Sequence, residues 1–194
     1  CIKGACHLPT DVYNRLLEAI STEDSPVSKH TLEILKENAD IAANNQEPIC
    51  QDTGMACIFV EIGQEVYVEG NLTEAINEGV RQGYTEGYLR KSVVDDPVFD
   101  RINTKDNTPA IIHYDIVPGD KLKITVAPKG FGSENMCQVK MLKPSDGIEG
   151  VKDFILKVVE DAGPNPCPPI VIGVGIGGTC LLYTSPSPRD RSVS

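Results

Sequence analysis

No stretch of these 194 residues comes near the roughly 20 consecutive apolar residues that span a bilayer, and no secretory leader opens the chain. The sequence therefore reads as having no place in a membrane. Positive charge is scarce as well: 18 Lys and Arg stand against 28 Asp and Glu, for a net charge of −10. That balance argues against a nucleic-acid partner, because phosphate backbones reward basic patches. It also means that an anionic ligand must be drawn in by local cations against the overall field. Seven cysteines, an odd number at irregular spacing, lack the pattern of a secreted disulfide framework. A reducing cytoplasm and metal-bound thiolates suit them better. His7, His30 and His113 lack zinc-like spacing, and no internal repeat is visible. The first residue is Cys1 rather than methionine, which reads as a fragment without its natural start.

What remains is an ordinary globular composition, 40% hydrophobic and 24% charged, enough for one domain with a real core. Thr10 is placed to cap a helix whose apolar face carries Val12, Leu16, Leu17 and Ile20. A second helix is expected over residues 28–43, with Leu32, Leu35, Ala39 and Ala42 inward. Residues 56–62 and 65–69 read as strands. Thr73 opens a helix bearing Ile76, Val80, Tyr84 and Tyr88 at fourfold spacing, and its glycines at 79, 83 and 87 permit close packing at some cost in helix stability. Residues 110–117 and 121–127, joined by Pro118-Gly119-Asp120, predict a hairpin. Residues 147–162 form an amphipathic helix stopped by Gly163-Pro164. Residues 170–172 read as a further strand. The fold class expected is α+β, with mixed or antiparallel sheets packed against helices.

The most informative stretch is Ile49-Cys50-Gln51-Asp52-Thr53-Gly54, which sets a thiol, an amide and a carboxylate side by side in a turn. A soft thiolate beside a hard carboxylate suits a site that holds iron through sulfur and handles a proton through oxygen. Asp52 could equally close an Asx-turn, and the two roles are compatible. A second cysteine, Cys167 in Asn165-Pro166-Cys167-Pro168-Pro169, also sits in a rigid turn before an apolar run. Gly173-Val174-Gly175-Ile176-Gly177-Gly178 satisfies G-x-G-x-x-G. A dinucleotide site would also need a following helix and an acidic residue about 20 positions on, and the sequence offers neither.

These segments, with Glu86-Gly87-Tyr88-Leu89-Arg90-Lys91-Ser92, Asn107-Thr108-Pro109-Ala110, Ala127-Pro128-Lys129-Gly130, Gly132-Ser133-Glu134-Asn135-Met136 and Pro144-Ser145-Asp146-Gly147, make the chain resemble a known family. It is similar to the alpha subunit of the two-subunit iron–sulfur hydro-lyases, class I fumarate hydratase and L(+)-tartrate dehydratase. The resemblance covers residues 8–179. It implies a catalytic-domain fragment over residues 1–179, truncated at its C-terminus. From Cys180 onward the text resembles translated sequencing-adapter sequence, so residues 180–194 read as a non-native, Ser/Pro-rich disordered tail.

The resemblance implies a [4Fe-4S] cluster held by three cysteines, with Cys50 and Cys167 as two ligands and the third beyond this sequence. One iron is left open as a Lewis acid for the substrate. Gln51 and Asp52 would then face the substrate as catalytic groups, Gln51 also binding it. Arg90 would clamp a carboxylate through two parallel hydrogen bonds, although a lone arginine at a helix end is more often a solvated charge. Lys91 stays ambiguous. Gly130 and Gly132 would let the main chain approach an anion, with Phe131 departing from the family's glycine at that place. Cys1, Cys6, Cys57 and Cys137 read as structural or unassigned, with Cys57 expected in the core and Cys1 and Cys6 in a ragged terminus.

The expected function is reversible hydration of fumarate to malate, a tricarboxylic acid cycle reaction. The alternatives are L(+)-tartrate dehydration, or a non-catalytic binding or assembly module of the same fold. The resemblance implies a beta subunit that supplies the base, a small dicarboxylate substrate, an oligomer, and inactivity of this fragment alone.

Overall fold

Residues 1–167 and 170–177 are described by a computed structural model, in two units, Cys1–Lys129 and Gly130 onward. The first unit opens with helices α1 (Ile2–Cys6), α2 (Thr10–Thr22) and α3 (Pro26–Asn45). The terminus is thus ordered helix, and Cys6 is fully buried, which pushes its thiol pKa up. Pro9, not Thr10, occupies the N-cap of α2. α3 starts two residues earlier than the apolar pattern suggests, because Ser25 caps it through Ser28 N–H and Pro26 suits the first turn. Leu16, Ala39 and Ala42 are buried, as the helical spacing implies.

The sheet has the order β2-β1-β3, with β1 (Met55–Gly63) at its centre. β2 (Ile111–Val117) runs parallel to β1, with Ile58 opposite Ile112, and β3 (Leu122–Lys129) runs antiparallel, with Ile58 opposite Val126. The expected hairpin is therefore corrected: β2 and β3 flank β1 and do not pair with each other. The physical reason lies in β1, whose Ala56, Ile58 and Val60 are almost fully buried and take the central place. Its exit passes under the Pro118-Gly119-Asp120 turn, where Gly63 N–H donates to Lys121 O (2.8 Å) and Gln64 N–H to Val117 O (2.9 Å). A Cβ on Gly63 would lie 2.3 Å from Gly119 O, so only glycine fits there. Glu65 N–H donates to Gly119 O (3.0 Å), and residues 65–69 complete this connection instead of forming the expected strand. Cys57 points to the other face from Ile58 and is half-buried, not core. On that face His113 stacks on Phe59, ring centroids 5.1 Å apart.

Helix α4 (Leu72–Glu86) crosses between the parallel strands and lays Ile76, Val80 and Tyr84 on the core face of the sheet. Asn71 caps it by accepting Glu74 N–H (3.2 Å), two residues before the expected Thr73. Close packing at its glycines is realised at two of the three: a Cβ on Gly83 would reach Cys1 Cβ at 2.9 Å and one on Gly87 would reach Ile2 Cγ1 at 2.6 Å, while Gly79 faces open space. Tyr88 does not continue the apolar stripe. It sits at φ +52° with its side chain exposed, as the left-handed residue of a Schellman ending. Leu89 N–H donates to Tyr84 O (3.1 Å) and Tyr88 N–H to Thr85 O (3.3 Å), and Leu89 turns back into the core.

In the second unit, α5 (Phe131–Glu134) is a single turn, and a 3₁₀ turn (Pro144–Asp146) leads into α6 (Gly147–Ala162), with the bounds the sequence predicts. Gly163 ends α6 at φ +50°. Ala162 is buried, and Val151, Ile155 and Val158 are half-buried. Residues 170–177 are irregular rather than the expected strand: no neighbouring strand exists among the described residues of this unit to complete a ladder. Helices with a small mixed sheet make this an α+β protein. Among the described residues, no helix is long and apolar enough to cross a membrane.

Candidate active site

The turn between α3 and β1 is built by its own side chains. Asp52 Oδ1 accepts Gly54 N–H (3.2 Å), closing the Asx-turn, and Gly54 takes φ +57°. Cys50 Sγ accepts Asp52 N–H (3.4 Å). That N–H fixes the direction of the Cys50 side chain within the turn. The turn's entry is held by Ile49, whose N–H donates to Ala5 O (2.9 Å) and whose carbonyl accepts Asn38 Nδ2 (2.9 Å). Cys50 and Asp52 are half-buried and Gln51 is exposed, so all three groups can be reached from outside.

Arg90 lies in the irregular segment after α4, where the Schellman ending has just redirected the chain. Its carbonyl accepts Thr53 Oγ1 (3.0 Å), which places this segment directly against the 50–54 turn. The Arg90 side chain is exposed, and its guanidinium makes no hydrogen bond or ion pair with the described residues. Two residues on, Ser92 Oγ is buried without a hydrogen-bond partner among the described residues, an uncommon state for a hydroxyl.

Sequence reasoning did not anticipate what fastens these pieces. Tyr84, expected only as an apolar helix face, donates its hydroxyl to Thr53 O (3.0 Å) in the fully buried core. Burial is the main reason its pKa is pushed up to about 12, with the nearby Cys57 and Asp52 adding to the rise. Asn107, at φ +63° and fully buried, accepts Ser92 N–H (2.8 Å) and Val93 N–H (3.1 Å) and donates Nδ2 to Gly54 O (3.0 Å). The loop carrying it is gripped by α4: Arg81 Nε bonds Asp106 Oδ2 (2.9 Å), and Asn77 Oδ1 accepts Ala110 N–H (2.8 Å). Asp106 also accepts the N–H and hydroxyl of Thr108 (3.0 and 2.8 Å). The usable signal was an Asn beside Thr-Pro, a residue suited to left-handed backbone with a two-sided amide.

Gly130, Gly132 and Cys167 belong to the second unit. Gly130 is the N-cap of α5, and its carbonyl accepts Glu134 N–H (3.1 Å) and Ser133 Oγ (3.0 Å). The glycine-rich segment is thus wound into a helical turn rather than left as an open loop. Cys167 is exposed at φ +59° in the turn after α6. Its neighbours Pro168 and Pro169 lie outside the described residues, as do Gly178 of the glycine motif and the tail from 180. Cys50 and Cys167 each offer the soft donor that an iron–sulfur cluster takes. Among the described residues, no three His, Cys, Asp or Glu gather into a metal-holding group.

A thiol, a carboxylate and an arginine thus lie on abutting segments, and the comparison with known proteins agrees with the family resemblance. Residues 1–185 match the family described as fumarate hydratase (Fumerase). The chain belongs to the fumarate hydratase family. It is 45% identical over 182 residues to the "Putative L(+)-tartrate dehydratase subunit alpha" of Methanocaldococcus jannaschii, covering 91% of this chain and 64% of that relative. It is 33% identical over 173 residues to the L(+)-tartrate dehydratase subunit alpha of Escherichia coli strain UTI89, covering 87% and 56%. The chain thus spans about three-fifths of the length of these curated relatives. The fumarate hydratase match extends six residues past position 179, where the resemblance ends.

Proposed function

We propose that this chain is the cluster-bearing region of a hydro-lyase alpha subunit that adds water to, or removes it from, a small dicarboxylate, with fumarate to malate as the first reading. One observation carries it. The 50–54 turn, with its thiol and carboxylate, is bonded through Thr53 to the backbone of Arg90, whose guanidinium stays available. A dehydratase needs a Lewis acid for the departing hydroxyl and a fixed cation for a carboxylate, and these segments offer a ligand for the first and the second itself.

Cys50 and Cys167 would hold two corners of a [4Fe-4S] cluster, which when bound supplies an open iron as Lewis acid. Arg90 binds a substrate carboxylate through its planar fork. Gln51 hydrogen-bonds the substrate through its amide, and Asp52 orients the hydroxyl or relays its proton. Gly130 and Gly132 let the main chain approach the substrate in the assembled enzyme. The third cysteine comes from the part of the subunit beyond residue 179, and residues 180–194 are foreign to it. A beta subunit supplies the base, in keeping with the "subunit alpha" in the relatives' names. The assembly is an oligomer working in the cytoplasm.

L(+)-tartrate dehydration is the second reading, favoured by the names of the relatives above. The test is to co-produce the complete alpha subunit with its beta partner, reconstitute it anaerobically with iron and sulfide, and assay fumarate and L(+)-tartrate in parallel. Turnover of fumarate well above tartrate supports the first reading, and the reverse ratio the second. Stoichiometric cluster with neither activity overturns both and leaves a non-catalytic module. Residues 1–194 alone are expected to bind substoichiometric iron and show no turnover.

A further inference from the structure

We propose that Asn107 is a positioning residue for this site: its buried carboxamide locks the 50–54 turn to the segment carrying Arg90. The proposal rests on the reading of Cys50 and Arg90 above and adds what holds them in register. Two irregular segments nearly forty residues apart in sequence must keep a fixed separation if one presents a metal ligand and the other a carboxylate clamp. Displacements near 1 Å are costly in such geometry. Neither segment belongs to a helix or strand that would impose that spacing.

Asn107 meets the need with both ends of one amide. Oδ1 accepts from Ser92 (2.8 Å) and Val93 (3.1 Å), the two residues after Lys91, and Nδ2 donates to Gly54 O (3.0 Å), the last residue of the turn. Full burial keeps water from competing for these bonds. The residue type follows from the geometry. A backbone at φ +63° admits Gly, Asn or Asp most readily, and of these only Asn carries an acceptor and a donor together. Its own place is set from α4 through Arg81–Asp106 and from β2, which begins at Ile111. Thr53 Oγ1 to Arg90 O is a second tether across the same seam.

Two variants separate the two ends of the amide. Asn107→Gly keeps the left-handed backbone and removes every bond. Asn107→Asp keeps the acceptor for Ser92 and Val93 but loses the donor to Gly54. The first measurement is amide hydrogen exchange on the full chain without substrate. For Asn107→Gly we expect exchange to rise about tenfold or more in residues 50–54 and 90–93 together, with β1 and α4 near wild type. For Asn107→Asp the rise should be confined to residues 50–54. The second measurement is steady-state kinetics in the complete enzyme. Asn107→Gly should raise KM and lower kcat, each about tenfold, whereas Asn107→Asp should lower kcat with KM within about threefold.

A uniform rise in exchange across β1 and α4, with unchanged kinetics of the folded enzyme, overturns the proposal, because Asn107 would then support the fold alone. Failure of both variants to fold, while Thr53→Val folds with wild-type kinetics, overturns it too. The exchange result holds whichever dicarboxylate is turned over. An inactive wild-type complex would therefore sink the functional reading without touching it.

Discussion

Replacing Tyr84 by phenylalanine tests the seam between α4 and the 50–54 turn. Tyr84 is fully buried, and its hydroxyl donates to Thr53 O at 3.0 Å. Removing that hydroxyl leaves a buried carbonyl without this partner, which costs about 1–3 kcal/mol. At pH 8 the variant should therefore be less stable than wild type by about that amount. At high pH the sign of the linkage changes the comparison. An unfolded tyrosine ionises near pH 10, while burial holds the folded Tyr84 proton to about pH 12. Between those values unfolding releases a proton, so this stabilisation is whole below pH 10 and drains away as pH rises towards 12. At pH 11 the loss is about 1.4 kcal/mol, one pH unit of linkage. Phenylalanine has no such proton. The stability gap between the two proteins should then narrow by about that much between pH 8 and pH 11. Urea unfolding of both reduced, metal-free chains at the two pH values measures it. A gap that is the same at both would show that the Tyr84 hydroxyl is solvated, and the buried seam would be refuted.

The remaining predictions concern Arg90 and the glycines. Arg90→Lys in the complete enzyme should lower dicarboxylate kcat/KM about ten- to hundredfold, since a lost charged hydrogen bond is worth about 1.5–3 kcal/mol. Unchanged kinetics would return Arg90 to the role of a solvated charge. Gly63→Ala should destabilise the chain by about 1–3 kcal/mol or more, because its Cβ would lie 2.3 Å from the Gly119 carbonyl oxygen. Gly79→Ala, on the open face of α4, should instead stabilise by up to about 1 kcal/mol. Thermal melts that rank the two variants the other way would contradict the packing of β1 beneath the 118–120 turn.

Much of the fold was legible because it is written locally. The apolar spacing of α2, α3, α4 and α6 survives in the structure, Leu17 of α2 and Tyr88 excepted as exposed, since a repeat near 3.6 residues buries one face wherever the helix docks. Gly163 stopped α6 as read, and Asp52 closed its Asx-turn. Strand partners were not legible. The segments now forming β2 and β3 look like neighbours because only a short turn separates them, yet both pair with β1. Pairing is decided by which strand can bury both edges, a property of the assembled sheet. Tyr88 misled for a related reason: its fourfold spacing continues the stripe, but the chain reverses at Tyr88 itself and leaves its side chain exposed.

By itself the sequence determined which chemically able residues stand together in which motifs. A thiol, an amide and a carboxylate in one turn, an arginine in its own motif and a second cysteine between prolines are chemical facts that need no coordinates. Family membership followed from the same residues. Only the tertiary structure decided that Arg90 abuts the 50–54 turn, and that Thr53, Tyr84 and Asn107 hold the seam. No spacing rule joins residues 53, 84, 90 and 107. Their hydrogen bonds close across loops whose length costs little in free energy, so proximity there is set by the shared core and not by the order of the chain.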